Sequence, residues 1–272
     1  FMASNIIVAR GGVEYIPPIS LAFWRWLTVF IILMPFFFNE IVHKKKKLKS
    51  ESFKLFLLGL TGCGICGAFP FIAGMSTTMA NMGIIYTSSP VFIVILSVFL
   101  FSEKFSLNRI VGLIICLIGV ITIITKGNFN YLINFSFTTG DFWMLGAAIG
   151  WALYSIYLLN WKSKFSLMGR FTLIAFFGFI SLFPFYILEE SLFFDTKFNS
   201  TFLAWVLFAA ISPGIIAFSL YTKVQRYLGA SLTGFTLYLF AVYGAIFGII
   251  LFEEMLLPFH YYGGALVFAG VY

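Results

Sequence analysis

At 272 residues the chain is 61% hydrophobic and only 10% charged, with a mean hydropathy of +1.01. A soluble domain of that composition would expose far more apolar surface than water tolerates, so soluble folds are excluded and a polytopic membrane protein is indicated. The net charge of +7 would suggest nucleic acid in a soluble chain; here its meaning lies in which loops carry it.

A spanning helix needs about 20 mostly apolar residues. The first apolar piece, Phe1 to Ala9, falls short of that. Helices are then expected over Ile19 to Phe38 (entered through Pro17 and Pro18), Phe53 to Met75, Met82 to Phe101, Leu107 to Thr125, Asp141 to Trp161, Phe171 to Leu188, Phe202 to Val224 and Ser231 to Phe252, with a last one from Phe259. The reading is an all-α integral membrane protein of ten transmembrane helices.

The chain writes one segment twice. A shift of 151 carries Ile95, Leu100, Phe101, Glu103, Gly112, Gly119 and Val120 onto Ile246, Leu251, Phe252, Glu254, Gly263, Gly270 and Val271. A shared Glu and two shared Gly make this an internal repeat rather than a coincidence of apolar residues. The same shift sets Ser4 opposite Ser155, in a helix that starts near Asp141. The first and last helices are therefore expected to be truncated here, by about ten residues before Phe1 and about one turn after Tyr272.

Orientation follows from Lys and Arg in short loops. With the lysine run His43 to Lys49 placed in the cytoplasm, alternate loops and their flanks collect 13 of the 17 cations there, against Arg10, Lys126 and Lys197 on the other side and Arg25 within a helix. Five helices per repeat then invert the second repeat relative to the first. Two similar, inverted halves can pack in two exchangeable ways, which is the sequence-level pointer to transport by alternating access.

The segment Pro17, Pro18, Leu21, Phe23, Trp24, Arg25, Trp26 resembles the second-helix signature of the drug/metabolite transporter superfamily, EamA type. The pattern Pro90, Glu103, Gly112, Gly119 is similar to that family's fourth and fifth helices, and Glu254, Gly263 and Gly270 repeat it, with Ala241 opposite Pro90. The resemblance covers essentially the whole chain. It implies a first EamA repeat over 1–126 and a second over 140–272, both native termini in the cytoplasm, and a central cavity built by helices 1, 3, 4, 6, 8 and 9.

Candidate residues follow. Arg25 is the one ion clearly within a span, and intramembrane charge is costly enough to suggest function. It also lies within snorkelling reach of the interface between Trp24 and Trp26, so an anchoring role stands beside substrate contact. In the helices that the resemblance assigns to the cavity, Asn5, Asn81, Tyr86, Ser88, Ser89, Trp151, Tyr154, Tyr157, Thr236, Tyr238 and Tyr243 offer amides, hydroxyls and rings to a small ligand, and helix packing or interfacial anchoring is the competing role. Pro90 would free a carbonyl at mid-depth, which suits a cavity wall, with a merely tolerated kink as the competing reading. Glu103 and Glu254 are gate or coupling candidates, with pairing to a neighbour such as Lys104 as the bland alternative. His43 and His260 give no sequence argument for a proton relay.

Cys63 and Cys66 form a C-x-x-C without a companion pair or histidine, which reads as packing rather than metal or redox chemistry. No catalytic residue, metal or cofactor is expected. No G-x-x-x-x-G-K-[ST] occurs, so ATP-driven transport would need another subunit. The expected function is a secondary transporter of a small organic metabolite (an amino acid, a derivative or an amphipathic compound) directed outward across the cytoplasmic membrane. Its partners are that substrate, membrane lipids and the proton as candidate coupling ion, with no nucleic acid; oligomeric state is left open. The sparse charge favours neutral, zwitterionic or amphipathic cargo. A membrane enzyme acting on a lipid-linked substrate would want clustered acids, histidines or arginines, and a channel would want a polar filter.

Overall fold

The computed structural model describes residues 1–101, 107–124, 127–128, 138–192, 196–234, 237–253, 255 and 257–271. Glu103, Thr236 and Glu254 lie outside them, as does the side chain of Tyr238. Among the described residues the regular structure is entirely helical. A chain this apolar must satisfy its backbone polar groups internally, and helices do so within a single segment.

The helices are α1 (Ser4–Gly11), α2 (Pro18–His43), α3 (Lys45–Leu58, a π-helical turn at Gly59–Ile65, then Cys66–Gly74) and α4 (Met79–Tyr86, then Ser89–Phe101). They continue with α5 (Leu107–Ile124), α6 (Thr139–Asn160) and α7 (Leu167–Leu192). The last three are α8 (Ser200–Ala209, a π-helical turn at Ala210–Ile216, then Ala217–Gly234), α9 (Tyr238–Phe252) and α10 (Pro258–Val271). Six of these, α2, α3, α4, α6, α7 and α8, are long and apolar enough to cross a membrane. Large apolar side chains such as Ile31, Phe36, Phe183, Phe185, Leu203 and Ile250 face outward from several helices. Such ridges suit contact with lipid and would be a liability in water.

The boundaries differ from expectation in three places. The lysine run is not a loop: α2 continues to His43 and α3 starts at Lys45, because Lys is a good helix former and the long side chains reach solvent from a helix as easily as from a coil. Helix 4 is interrupted at Thr87 and Ser88, just before Pro90. The hydroxyls of Thr87, Ser88 and Ser89 donate to the carbonyls of Ile84, Ile85 and Tyr86 at 2.5, 2.6 and 2.6 Å, supplying donors where the regular ladder is broken. Finally, Ser231 to Gly234 complete α8 instead of opening α9.

Local chemistry sets the other ends. Pro17 and Pro18 open α2, where a missing N–H costs nothing. Thr138, Thr78 and Asn199 cap α6, α4 and α8 by accepting from Asp141, Asn81 and Phe202 amides at 3.3, 3.2 and 2.8 Å.

The most extensive packing pairs α3 with α6, α5 with α10, α2 with α7, and α3 with α7. The α2–α7 pair is fastened at both ends. Glu189 accepts from the Ile19 and Ser20 amides at 3.1 and 2.6 Å, and from the Ser20 hydroxyl at 2.8 Å, so a carboxylate near the end of α7 caps the start of α2. At the other end Glu40 accepts from the Ser166 amide and hydroxyl at 2.7 and 2.5 Å, so a carboxylate near the end of α2 caps the start of α7. Each glutamate stands three residues before the last of its helix. A carboxylate at a helix N-terminus meets both the orphan amides and the positive end of the dipole.

Candidate functional site

Arg25 sits about 10 Å along α2 from its first residue, at 1.5 Å per residue, and is 2% exposed. Snorkelling is therefore not what it does, and Trp26 is not an interfacial anchor: its ring is fully buried against Phe218, centroids 5.0 Å apart and near-perpendicular. One turn of α2 faces inward at Arg25 and Trp26, while Trp24, a rotation of about 200° away, packs on Tyr186, Phe198 and Phe202. Gly67 lets the Trp26 ring approach so closely that a Cβ there would lie 2.5 Å from its indole nitrogen.

The Arg25 guanidinium joins three helices. One terminal nitrogen donates to Asn5 Oδ1 of α1 at 2.7 Å, and the other to the Pro213 carbonyl in the π-helical turn of α8 at 3.0 Å. Its charge lies 4.6 Å from the centre of the Trp26 ring and 5.8 Å from that of Phe71. Its Nε has no partner. Among the described residues the one ion pair is Lys44–Glu40, far off at the lysine-bearing end, so Arg25 has no carboxylate at hand.

A cavity of about 20 Å³ adjoins this group, lined by Asn5, Arg25, Trp26, Cys66, Tyr86, Trp151 and six neighbours. That is room for about one water. Cys66 Sγ lies 3.1 Å from Tyr86 Oη, which places the C-x-x-C sulfur in the wall as a small buried group.

Two larger cavities flank it. One, of about 350 Å³, opens at the lysine-bearing end between the end of α6, the start of α7 and α8, and is lined by Tyr154, Lys162, Arg170, Gln225 and Arg226 among others. The other, of about 440 Å³, opens at the opposite end around Arg10, Thr77, Asn81 and His260. The two ends are the two ends of α6, whose 22 residues measure about 33 Å at 1.5 Å per residue. Between the central and the lysine-end cavities stands an aromatic partition, in which Trp151 packs on Tyr154, Phe218 and Tyr221 with centroids 5.3, 5.3 and 4.7 Å apart.

The structure thus gathers Asn5, Tyr86 and Trp151 around Arg25, puts Tyr154 in the lysine-end cavity and Asn81 in the opposite one. Ser88 and Ser89 are buried with their hydroxyls on their own helix, and Pro90 sits beside them, half-buried. Tyr157 stacks on Trp161 at 4.3 Å, and Tyr243 is 48% exposed beside Phe247. These five border none of the three cavities.

Arg10, Arg170 and His260 were not singled out by the sequence. Loop-flanking cations are read as topology signals, and nothing in their spacing marks them as cavity residues. His260 is buried: its Nδ1 accepts from the Leu257 amide at 3.0 Å, which leaves the proton on Nε2 to donate to Asn81 Oδ1 at 3.2 Å. Asn81 continues through Thr77 to Asp141, the last step at 2.6 Å.

A multi-pass helical membrane protein with cavities at both ends and a closed, charged centre has the form of a membrane transporter. The EamA-like transporter family matches residues 1–125 and 138–272, and the chain belongs to that family. It is 24% identical over 271 residues to the uncharacterized transporter YetK of Bacillus subtilis (strain 168), covering 100% of this chain and 82% of that protein. It is 27% identical over 276 residues to an uncharacterized transporter of Archaeoglobus fulgidus, covering 99% and 92%. A solved crystal structure superposes with a TM-score of 0.66 at 18% identity, over 99% of this chain and 91% of that one, so the fold is shared.

Proposed function

We propose that the protein is a secondary transporter that carries a small organic metabolite outward across the cytoplasmic membrane by alternating access. The observation that carries this reading is the line of three cavities along α6, two larger ones at opposite ends and a small one between, divided from the lysine-end cavity by the Trp151 cluster. That is the layout of a path narrowed at its centre.

The proposed mechanism needs two inverted halves, 1–126 and 140–272, of five helices each, with both native termini in the cytoplasm. Support comes from backbone irregularities, which drift easily and so are informative when they repeat. The π-helical turns Gly59–Ile65 and Ala210–Ile216 are offset by 151 at both bounds, the shift that relates Glu103 to Glu254. The starts of α5 and α10, Leu107 and Pro258, obey the same shift. Alternating access would exchange the α3 and α8 surroundings of the central cavity between its two sides.

The test is flux in proteoliposomes containing the full-length protein, with a labelled metabolite panel, with and without a proton gradient. Saturable flux of one compound class that Trp151→Ala makes leaky or abolishes is the expected result. Flux that never saturates would point to a channel, and absence of flux across the panel would sink the reading.

A further inference from the structure

We infer that the group recognised in the cargo is a single carboxylate, received by Arg25 at the centre of the protein and by arginines of the two end cavities on the way in and out. The inference rests on the transport reading above and adds the chemistry of what is carried.

Arg25 is the starting point. A guanidinium has five N–H donors, and two of them meet acceptors here, both uncharged: the Asn5 amide oxygen and the Pro213 carbonyl. Burying an ion without a counter-ion is among the most costly arrangements in a protein. Two neutral acceptors and the face of Trp26 compensate only part of that cost. A carboxylate would supply both the missing charge and two oxygens for the remaining fork of donors, the geometry in which guanidinium binds best. One central cation matches one anionic charge, so a monocarboxylate fits where a polyanion would not.

The end cavities repeat this chemistry independently. Arg170 and Arg226 border the one at the lysine-bearing end, and Arg10 the other. Arg10 and Arg170 spend their bonds on backbone carbonyls, Gly74 and Leu158, at 2.8 and 3.1 Å, and in both the Nε is buried without a partner. Among the described residues no aspartate or glutamate stands in the wall of any of the three cavities. At the centre Arg25 has no carboxylate beside it among the described residues; at the two ends Asp141 and Glu51 stand behind the cavity walls, bonded to Thr77 and Ser163, and the arginine Nε groups are left unpartnered. Volumes of about 350 and 440 Å³ suit a molecule of amino-acid size.

The test uses matched probes that differ only at the carboxylate: 3-phenylpropionate and 3-phenylpropionamide, L-phenylalanine and L-phenylalaninamide, hexanoate and hexanamide. Binding of each labelled probe to the full-length protein in detergent is measured by equilibrium dialysis. At least one acid should bind about 10- to 100-fold more tightly than its amide. Arg25→Gln should abolish that preference, and Arg25→Lys, which keeps the charge and loses the fork, should retain part of it. Gel filtration verifies that each variant is folded, and the wild-type comparison of acid with amide stands whether or not Arg25→Gln folds. Equal binding of acids and amides, binding of amides alone, binding of neither, or an acid preference undiminished in folded Arg25→Gln would each overturn the inference. Flux of a neutral compound without acid binding would leave the transport reading intact and remove this one; acid binding without flux of any compound would do the reverse.

Discussion

The α2–α7 pair and the α3 and α8 helices solve opposite problems. α2 and α7 run as unbroken α-helices through Pro35 and Pro184, and what fastens them to each other sits at their tips, where Glu189 and Glu40 each cap the partner's start. α3 and α8 have their irregularities in the middle, at Gly59–Ile65 and Ala210–Ile216. The α8 turn hands a carbonyl to Arg25, and α3 lines the central cavity with Cys66, Gly67 and Pro70 just beyond its own turn. The contrast teaches that the bundle is fastened at its rims along one pair and left adjustable at mid-depth along the other. π-helical turns are frequent at functional sites for this reason.

The strongest way to break the contrast is to force the two regions apart. A Cβ on Gly59 would lie 2.7 Å from the Gly178 amide nitrogen and 2.8 Å from the Phe177 carbonyl carbon, backbone atoms that cannot turn aside. Gly59→Ala should therefore separate α3 from α7 at a cost of about 3 kcal/mol, seen as a large loss of monodisperse protein on gel filtration and a lowered midpoint in thermal unfolding. A normal midpoint would show that α7 yields more readily than the close contact implies.

Next come the caps. Glu189 is 8% exposed and holds two amides and a hydroxyl, so Glu189→Ala should cost about 2 kcal/mol, and the less enclosed Glu40→Ala about 1 kcal/mol. Denaturant titration of both variants checks the order, and a larger loss for Glu40→Ala would refute it. Pro213→Ala sharpens the contrast from the other side. It returns an amide hydrogen to α8, so transport should fall several-fold while stability moves by about 1 kcal/mol or less; equal losses of both would make the turn a packing feature. The smallest effect belongs to Lys44→Ala. This half-exposed lysine pairs with Glu40 at 2.7 Å, and its removal should shift the unfolding midpoint by no more than about 0.5 kcal/mol.

Much of the helical framework is legible in the sequence because runs of about 20 apolar residues have one stable form in lipid. The offset of 151 is legible too, through Glu103 and Glu254. The lysine run misleads because its charge suggests a loop while its propensity is helical. The π-helical turns leave only hints, the glycines of Gly59 to Gly64 and Pro213, since such irregularities depend on what packs beside them. Of the candidate site, Arg25 stands out as a charge in a span, and Asn5, Tyr86 and Trp151 as polar residues in plausible helices. What no local pattern reveals is that Arg25 meets no counter-charge among the described residues, because that depends on the other helices packed around it. Arg10, Arg170 and His260 are hidden for the same reason.

The two caps also bear on how the protein is made. The Ser20–Glu189 and Glu40–Ser166 contacts join residues 169 and 126 apart in the chain. During synthesis α2 must wait in the bilayer with its first amides uncapped until α7 is made, more than a hundred residues later. Both partners of each cap belong to different parts of the chain, so neither fastening can close early. The α2–α7 pair thus acts as a completion check, closing only when the second part of the polypeptide has arrived in register with the first.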